Sequence, residues 1–226
     1  MKTNPLRSLL AALLLPVLLG VVATSSMAQD KSVAVTVKAT GEVLVKAGSS
    51  ESPLKSGARL NDGDQVRTGP DGRAVLVFTD DKSQLKLTPN TKVVLHARRG
   101  SGRTDKEVEM SQGTLWSKVT RQQGEFRIAT PTSVASVKGT AWWTKADEEG
   151  TDIITEEGIV GLTSRESSQE VDVMSGQTGH SDGQASTVRP TSDADQEGLE
   201  RGELKRVVVP IQDGDTRREL IIEYYE

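Results

Sequence analysis

Gly63-Asp64-Gln65-Val66-Arg67-Thr68-Gly69 and Val137-Lys138-Gly139-Thr140-Ala141-Trp142 are the stretches that decide how this chain folds. In the first, two glycines bracket the strand-forming Val66 and Thr68. In the second, an alternating strand ends on a glycine, where a bulge or close backbone approach costs little. Glu157-Gly158-Ile159-Val160 and Ser175-Gly176-Gln177 repeat the device. Between and around these turns, short apolar runs recur roughly every ten residues, the rhythm of an all-β chain.

Val33, Val35 and Val37 alternate, as do Val43 and Val45, and predict two half-buried strands. Ala74 to Phe78 is nearly continuously apolar and predicts a strand covered on both faces. Leu85 and Leu87, Val93 to His96, Val108 to Met110, Thr114 to Val119, Phe126 to Ala129, Val134 to Val137, Ile153-Ile154, Ile159 to Leu162 and Val171 to Val173 continue the series. The expected fold is all-β, with short antiparallel strands stacked in a sandwich, a barrel or an irregular solenoid-like array. The lack of a fixed period argues against a regular solenoid.

The ends of the chain read differently. Lys2 and Arg7 precede the apolar run Leu9 to Ala23, and Ser26-Met27-Ala28 follows with small residues where a signal peptidase cuts, so residues 1–28 read as a secretory signal peptide. The run is short for a membrane span and Pro16 interrupts it, so membrane contact is expected only through an uncleaved signal segment. From Gly179 to Glu203 the composition turns to Ser, Asp, Gly, Gln, Thr and Pro, which predicts a polar linker with one helical turn near Leu199. Leu204 to Ile211 and Glu219 to Tyr225 flank Asp213-Gly214 and predict a C-terminal β-hairpin. The expected organisation is thus 1–28 signal peptide, 29–178 β domain, 179–203 linker and 204–226 hairpin. Docking of that hairpin on the domain, pairing with another chain, or addition to a partner's sheet edge would each stabilise it.

Composition excludes several functions. Lys and Arg number 28 against 32 Asp and Glu, a formal charge of −4, and cleavage after Ala28 removes Lys2 and Arg7 and takes it to −6. With 3% aromatic residues and no basic stripe, the chain lacks the means to bind nucleic acid. Arg98-Arg99 and Arg103 around Gly100-Ser101-Gly102 read as a solvated hairpin tip. The absence of cysteine rules out disulfides, thiolate nucleophiles, zinc-thiolate sites and a lipid-modified cysteine.

In order and spacing, the four glycine turns resemble the FecR domain, whose pattern runs G-D-x-V-x-T, a strand with an acidic tip, V-[KR]-G-T-x-aromatic, E-G-x-V and G-Q. The resemblance covers about two thirds of the chain. It implies a stacked β fold and a binding role. The best-known FecR proteins add a cytoplasmic anti-sigma segment and one membrane helix. Only seven residues precede Ser8 here, so the expectation is a FecR-like domain without the anti-sigma segment, periplasmic or secreted after cleavage near Ala28. Its expected partner is an envelope protein, with cell-wall glycan or a metal chelate as alternatives and self-association as a further possibility. Gly63, Asp64, Thr68, Gly69, Gly139, Thr140, Gly158 and Gly176 match the motifs and read as turn residues rather than ligand contacts.

No catalytic residue, cofactor or metal site is expected. His96 and His180 are the sole histidines, one at a strand end and one in the linker, and neither sits in a nucleophile or metal motif. Asp62-Gly63-Asp64 lacks the succession of oxygen ligands that a calcium loop requires. Asp80-Asp81 and Asp147-Glu148-Glu149-Gly150 read as unpaired acids at hairpin tips. The candidate ligand contacts are Trp142 and Trp143, because adjacent strand residues point to opposite faces. Parity from Val137 and Ala141 would bury Trp143. The family pattern, with a bulge at Gly139, puts Trp142 in the core and leaves Trp143 outside, either capping the rim of the core or stacking on a sugar or a partner. Trp116 reads as core or rim.

Overall fold

The structure is a computed structural model that describes residues 32–120, 124–199, 202–213 and 216–225. The expected signal peptide and the Gly214-Asp215 part of the hairpin turn lie outside the described residues. In chain order, β1 (Ser32–Thr40) starts a front layer, β2 (Val43–Ala47) and β3 (Ser50–Pro53) lie in a back layer, and β4 (Arg59–Asn61) returns to the front. β5 (Gln65–Thr68) is in the back, β6 (Arg73–Phe78) and β7 (Gln84–Leu87) in the front, and β8 (Lys92–Arg99) in the back. The long β9 (Thr104–Lys118) belongs to both. Hairpins then alternate: β10 (Phe126–Ala129) with β11 (Ser133–Val137) behind, β12 (Ala141–Ala146) with β13 (Thr151–Glu157) in front, β14 (Ile159–Ser164) with β15 (Glu170–Met174) behind, and β16 (Gln177–Ser181) with β17 (Ser186–Pro190) in front.

The front layer therefore runs β4-β1-β6-β7-β9-β12-β13-β16-β17 and the back layer β3-β2-β5-β8-β9-β10-β11-β14-β15. The two expected descriptions merge here, since this is a sandwich wound by hairpins that alternate between layers as the rungs of an irregular solenoid do. The crossing in β9 falls at Gly113, between Gln112, which pairs with back-layer Lys92, and the stretch that pairs with β12. Gly113 has φ +106°, and a Cβ there would lie 2.5 Å from the Cα of Thr91, so only glycine lets the strand bend between sheets.

The core fills the space between the layers. Leu76, Phe78, Leu85, Leu87, Leu115 and Ile153 face in from the front, while Val66, Val93, Leu95, Val108, Ile128 and Leu162 face in from the back. Edge-to-face packing links Phe78 to Phe126 (centroids 5.7 Å apart) and Phe126 to Trp142 (6.1 Å), tying β6, β10 and β12 together. One charge enters this core. Lys106 of β9, its side chain wholly buried, reaches Asp80 (2.9 Å) and Asp81 (2.6 Å) and lies 5.2 Å from the Phe78 ring centroid. The acids at this front-layer tip, expected to be unpaired, thus anchor a back-layer cation.

Two expectations are corrected. β1 is covered on both faces rather than half-buried, because Val35 and Val37 lie with Val75 and Val77 under Ile222 and Tyr224 of the C-terminal hairpin. That hairpin comprises β18 (Leu204–Asp213) and β19 (Thr216–Tyr225). The polar stretch after Gly179 is not a linker throughout, since β16 and β17 extend the front layer to Pro190. Its polar residues suit a strand because they bond one another: Ser164 Oγ lies 3.1 Å from Ser181 Oγ and 2.7 Å from Ser186 Oγ, and Thr178 donates to Thr191 at 3.0 Å. The helical turn is α1 (Asp193–Gln196), closed by a capping box between Ser192 and Asp195 and lying just ahead of Leu199.

Candidate functional site

Registers across the front layer bring one row of outward-facing residues into line: Lys38, Val75, Lys86, Trp116, Trp143, Ile154, Thr178 and Arg189, from β1, β6, β7, β9, β12, β13, β16 and β17. An antiparallel sheet with a solvated outer face would carry polar residues here. The centre of the row is instead aromatic and apolar, and the chain covers it itself. After β17 the backbone turns back over the row as a C-terminal strap. Asp195 of α1 takes both guanidinium nitrogens of Arg189 (2.5 and 2.6 Å) and a bond from Thr178 (3.3 Å). Lys145 Nζ donates to the Asp195 carbonyl at 2.8 Å. Leu199 packs on Trp116, Ala141, Trp143 and Ile154. At the far end the hairpin lies over β1 and β6, with Gln84 Nε2 donating to the Glu223 carbonyl.

The electrostatics match this path. Hydrogen bonds from Arg189, assisted by the Ser192 backbone and hydroxyl, hold the Asp195 carboxyl far below the usual carboxylate range, and the same contact raises Arg189.

Both candidate ligand residues are buried. Trp142 faces the core, where its Nε1 donates to Thr144 Oγ1 at 3.0 Å, and the register shift of β12 falls between Ala141 and Trp142 rather than at Gly139, where the bulge was expected. Trp143, expected outside, is 2% exposed because the strap lies over it. Glu156 unites the two outer indoles: its Oε2 accepts from Trp116 Nε1 at 3.0 Å and its Oε1 from Trp143 Nε1 at 3.1 Å. A cavity of about 240 Å³ opens between Trp143, Glu156, Ser175, Thr191 and Leu199. No sequence motif marks Glu156, which reads as one more acid in a strand end. Its role emerges only when β9 and β12 pair.

The motif residues form turns that brace one another. Asp64 accepts from the Asn61 N–H at 2.8 Å, and the Gly63 N–H donates to the Leu95 carbonyl at 2.8 Å. Thr68 donates to the Thr88 carbonyl (2.7 Å) and accepts from the Thr91 N–H (2.9 Å), while the Gly69 N–H donates to the Glu42 carbonyl at 2.8 Å. At the far end of β12, a Cβ on Gly158 (φ +83°) would sit 2.7 Å from Thr140 Cγ2 and 3.0 Å from the Gly139 carbonyl oxygen. The V-K-G-T and E-G-x-V motifs therefore pack on each other. The Gly176 N–H then donates to the Thr155 carbonyl at 2.9 Å, stacking the last motif on the same end.

The outer face of the back layer is charged and open. His96 lies between Asp62 (3.6 Å) and Glu109 (3.4 Å) beside a cleft of about 350 Å³ that Arg98, Glu107 and Arg127 also line. His180, in β16 rather than a linker, lies 2.8 Å from Asp152. Each histidine thus has carboxylate neighbours. Among the described residues, no group of three or more His, Cys, Asp or Glu is arranged to hold a metal ion, and no helix is long and apolar enough to cross a membrane.

Comparison with known proteins agrees with this geometry. Residues 64–161 match the family model described as FecR protein. Two crystal structures of a candidate anti-sigma factor from Parabacteroides distasonis ATCC 8503, at 2.50 and 1.65 Å resolution, superpose with a TM-score of 0.50 at 16% identity, over 61% of this chain and 68% of that one. At this identity the likeness is one of fold. No curated protein matches the chain. The family match runs from Asp64 to Gly161, so the C-terminal strap lies outside it.

Proposed function

Starting from a chain that carries a FecR domain, we propose that it is a non-catalytic protein-binding and sensing module of the bacterial cell envelope, exported and cut near Ala28. The observation that carries this reading is the two-faced C-terminal hairpin. Its inner face grips the front layer through Ile222 and Tyr224, while on its outer face Val208 and Ile221 stand opposite each other in register, 48% and 51% exposed. An apolar pair presented on a ribbon that pairs with no other strand among the described residues is suited to contact with another protein. The anti-sigma-like fold of the structural relatives supports a place in sensing, and the motif residues, engaged in turns, leave recognition to other surfaces. A sugar-stacking role for Trp142 or Trp143 loses support, because neither indole offers an open face.

Photo-crosslinking amino acids placed at Ile221 and, as a control, at Glu109 on the back layer test this in the native envelope. One recurrent envelope protein captured from Ile221 and not from Glu109 is expected. Capture of nothing, or of the same set from both positions, would contradict it.

A further inference from the structure

Among the described residues, four large apolar side chains stand about half exposed, and they form two cross-strand pairs. Val208 and Ile221 lie opposite each other on the outer side of the hairpin, and Ile159 and Met174 lie opposite each other on the outer side of the back layer. Scattered apolar residues are ordinary on a protein surface, whereas each of these pairs makes a continuous patch.

The surroundings of the two patches complement each other. On the hairpin, Glu219 and Glu223 lie two residues to either side of Ile221 in β19, and Arg206 lies two residues before Val208 in β18, bonded to Glu223 at 2.6 Å. On the back layer the signs are laid out the other way. Lys138 stands beside Ile159, on the side away from Met174, and Asp172 lies two residues before Met174 in β15. Between these charges Ser136 and Gly161 pair in register and floor a groove of about 320 Å³. With β19 laid over β14 and β18 over β15, the acids of β19 meet Lys138, Arg206 meets Asp172, and the two apolar pairs cover each other. Such matched charges fix orientation and register more than affinity.

The hairpin is already held in position for this contact. Its inner side lies face-on against the front layer through Ile222 and Tyr224, so its outer side is turned away from its own sandwich. Seated on a second molecule, it would form a middle layer between two sandwiches. The hairpin covers β1 and β6, near one end of the front layer, while β14 and β15 close the other end of the back layer. A molecule cannot join its own two patches. Unlike patches that meet head to tail also leave one of each kind free at the ends of the assembly, so growth continues past two copies.

We propose that the hairpin's outer face is occupied by the Ile159 and Met174 patch of a second copy of this chain, giving a head-to-tail assembly. This rests on the reading of that face as a protein-contact surface and names its partner.

Sedimentation velocity of the purified protein over about 10–500 µM, the range suited to a contact this small, tests it. The mean sedimentation coefficient of the wild type should rise with concentration. Ile221→Asp and Met174→Asp each charge one patch and leave the other intact, and because both residues are exposed, each variant should keep the wild-type circular dichroism spectrum. Each variant alone should stay monomeric. An equimolar mixture of the two should form a dimer that grows no further, since it holds one working contact per pair of molecules. A wild type that is monomeric throughout, a variant that still self-associates, or a mixture that stays monomeric would overturn the proposal. Capture of a different envelope protein from Ile221, alongside a monomeric wild type, would leave the contact-surface reading standing and overturn the second copy alone.

Discussion

The two outer faces of the sandwich are built by strands of the same chain, one even by halves of the same strand, yet they have opposite characters. In β9, Trp116 points outward from the front half, while Glu107 and Glu109 point outward from the back half. The front face is aromatic at its centre and hidden beneath the C-terminal strap. The back face carries His96, Arg98, Glu107, Glu109 and Arg127 into solvent, with the paired Ile159 and Met174 as its exposed apolar spot. One face behaves as a second, thinner core and the other as an ordinary surface. The strap creates that difference.

The largest effect that could break this comparison is at Trp143. Trp143→Ala empties the space under Leu199 and leaves Glu156 with one indole partner fewer, so a cost of about 3–5 kcal/mol is expected in urea unfolding. Arg127→Ala at an outward position of the back layer should change stability by no more than about 0.5 kcal/mol. Equal costs would mean that the strap does not make a core. A somewhat smaller loss, about 3 kcal/mol, is expected for Lys106→Met, which strands Asp80 and Asp81 beside an apolar interior. Much of it should return when Asp80→Asn and Asp81→Asn are added. No return would show that the layers do not depend on this pair.

The smallest effect concerns the start of the strap. Because the folded-state pKa of Asp195 is depressed, its contribution is present above the ordinary carboxylate pKa of 3.8 and is lost only as pH falls through the much lower folded value. The strap should therefore stay attached through mild acid in the wild type. Asp195→Asn should loosen it by about 1 kcal/mol at neutral pH, a modest figure because Arg189 is half exposed. Acrylamide quenching of tryptophan emission reads this directly. It should rise in the variant at pH 7 and stay unchanged in the wild type between pH 7 and pH 5.

Much of the architecture is readable from residue order. The valine runs and the glycine motifs place most strands and the hairpin, because period-two apolarity and turn chemistry are local signals. β16 and β17 escape such a reading, since their burial rests on Thr178, Ser181 and Ser186 finding hydroxyl partners distant in sequence. β3 and β4 are too short and polar to register. The tryptophans show the limit most clearly. Alternation correctly sends Trp142 and Trp143 to opposite faces, but alternation alone equates the second face with solvent. The unbroken run from Ala74 to Phe78 already signals a layer covered on both sides, and that signal, extended across the sheet, would have buried both indoles. The Glu156 bridge depends on register between strands far apart in sequence, which no local pattern encodes.

The most direct test of the strap exploits the lack of native cysteine. Single thiols introduced by Val77→Cys, beneath the hairpin, and by Glu109→Cys, on the back face, can be compared by their rate of reaction with a maleimide. The Val77→Cys thiol is expected to react at least about tenfold more slowly, and adding Ile222→Asp to release the hairpin should remove most of that protection. Equal rates at the two positions, or protection that survives Ile222→Asp, would contradict this expectation.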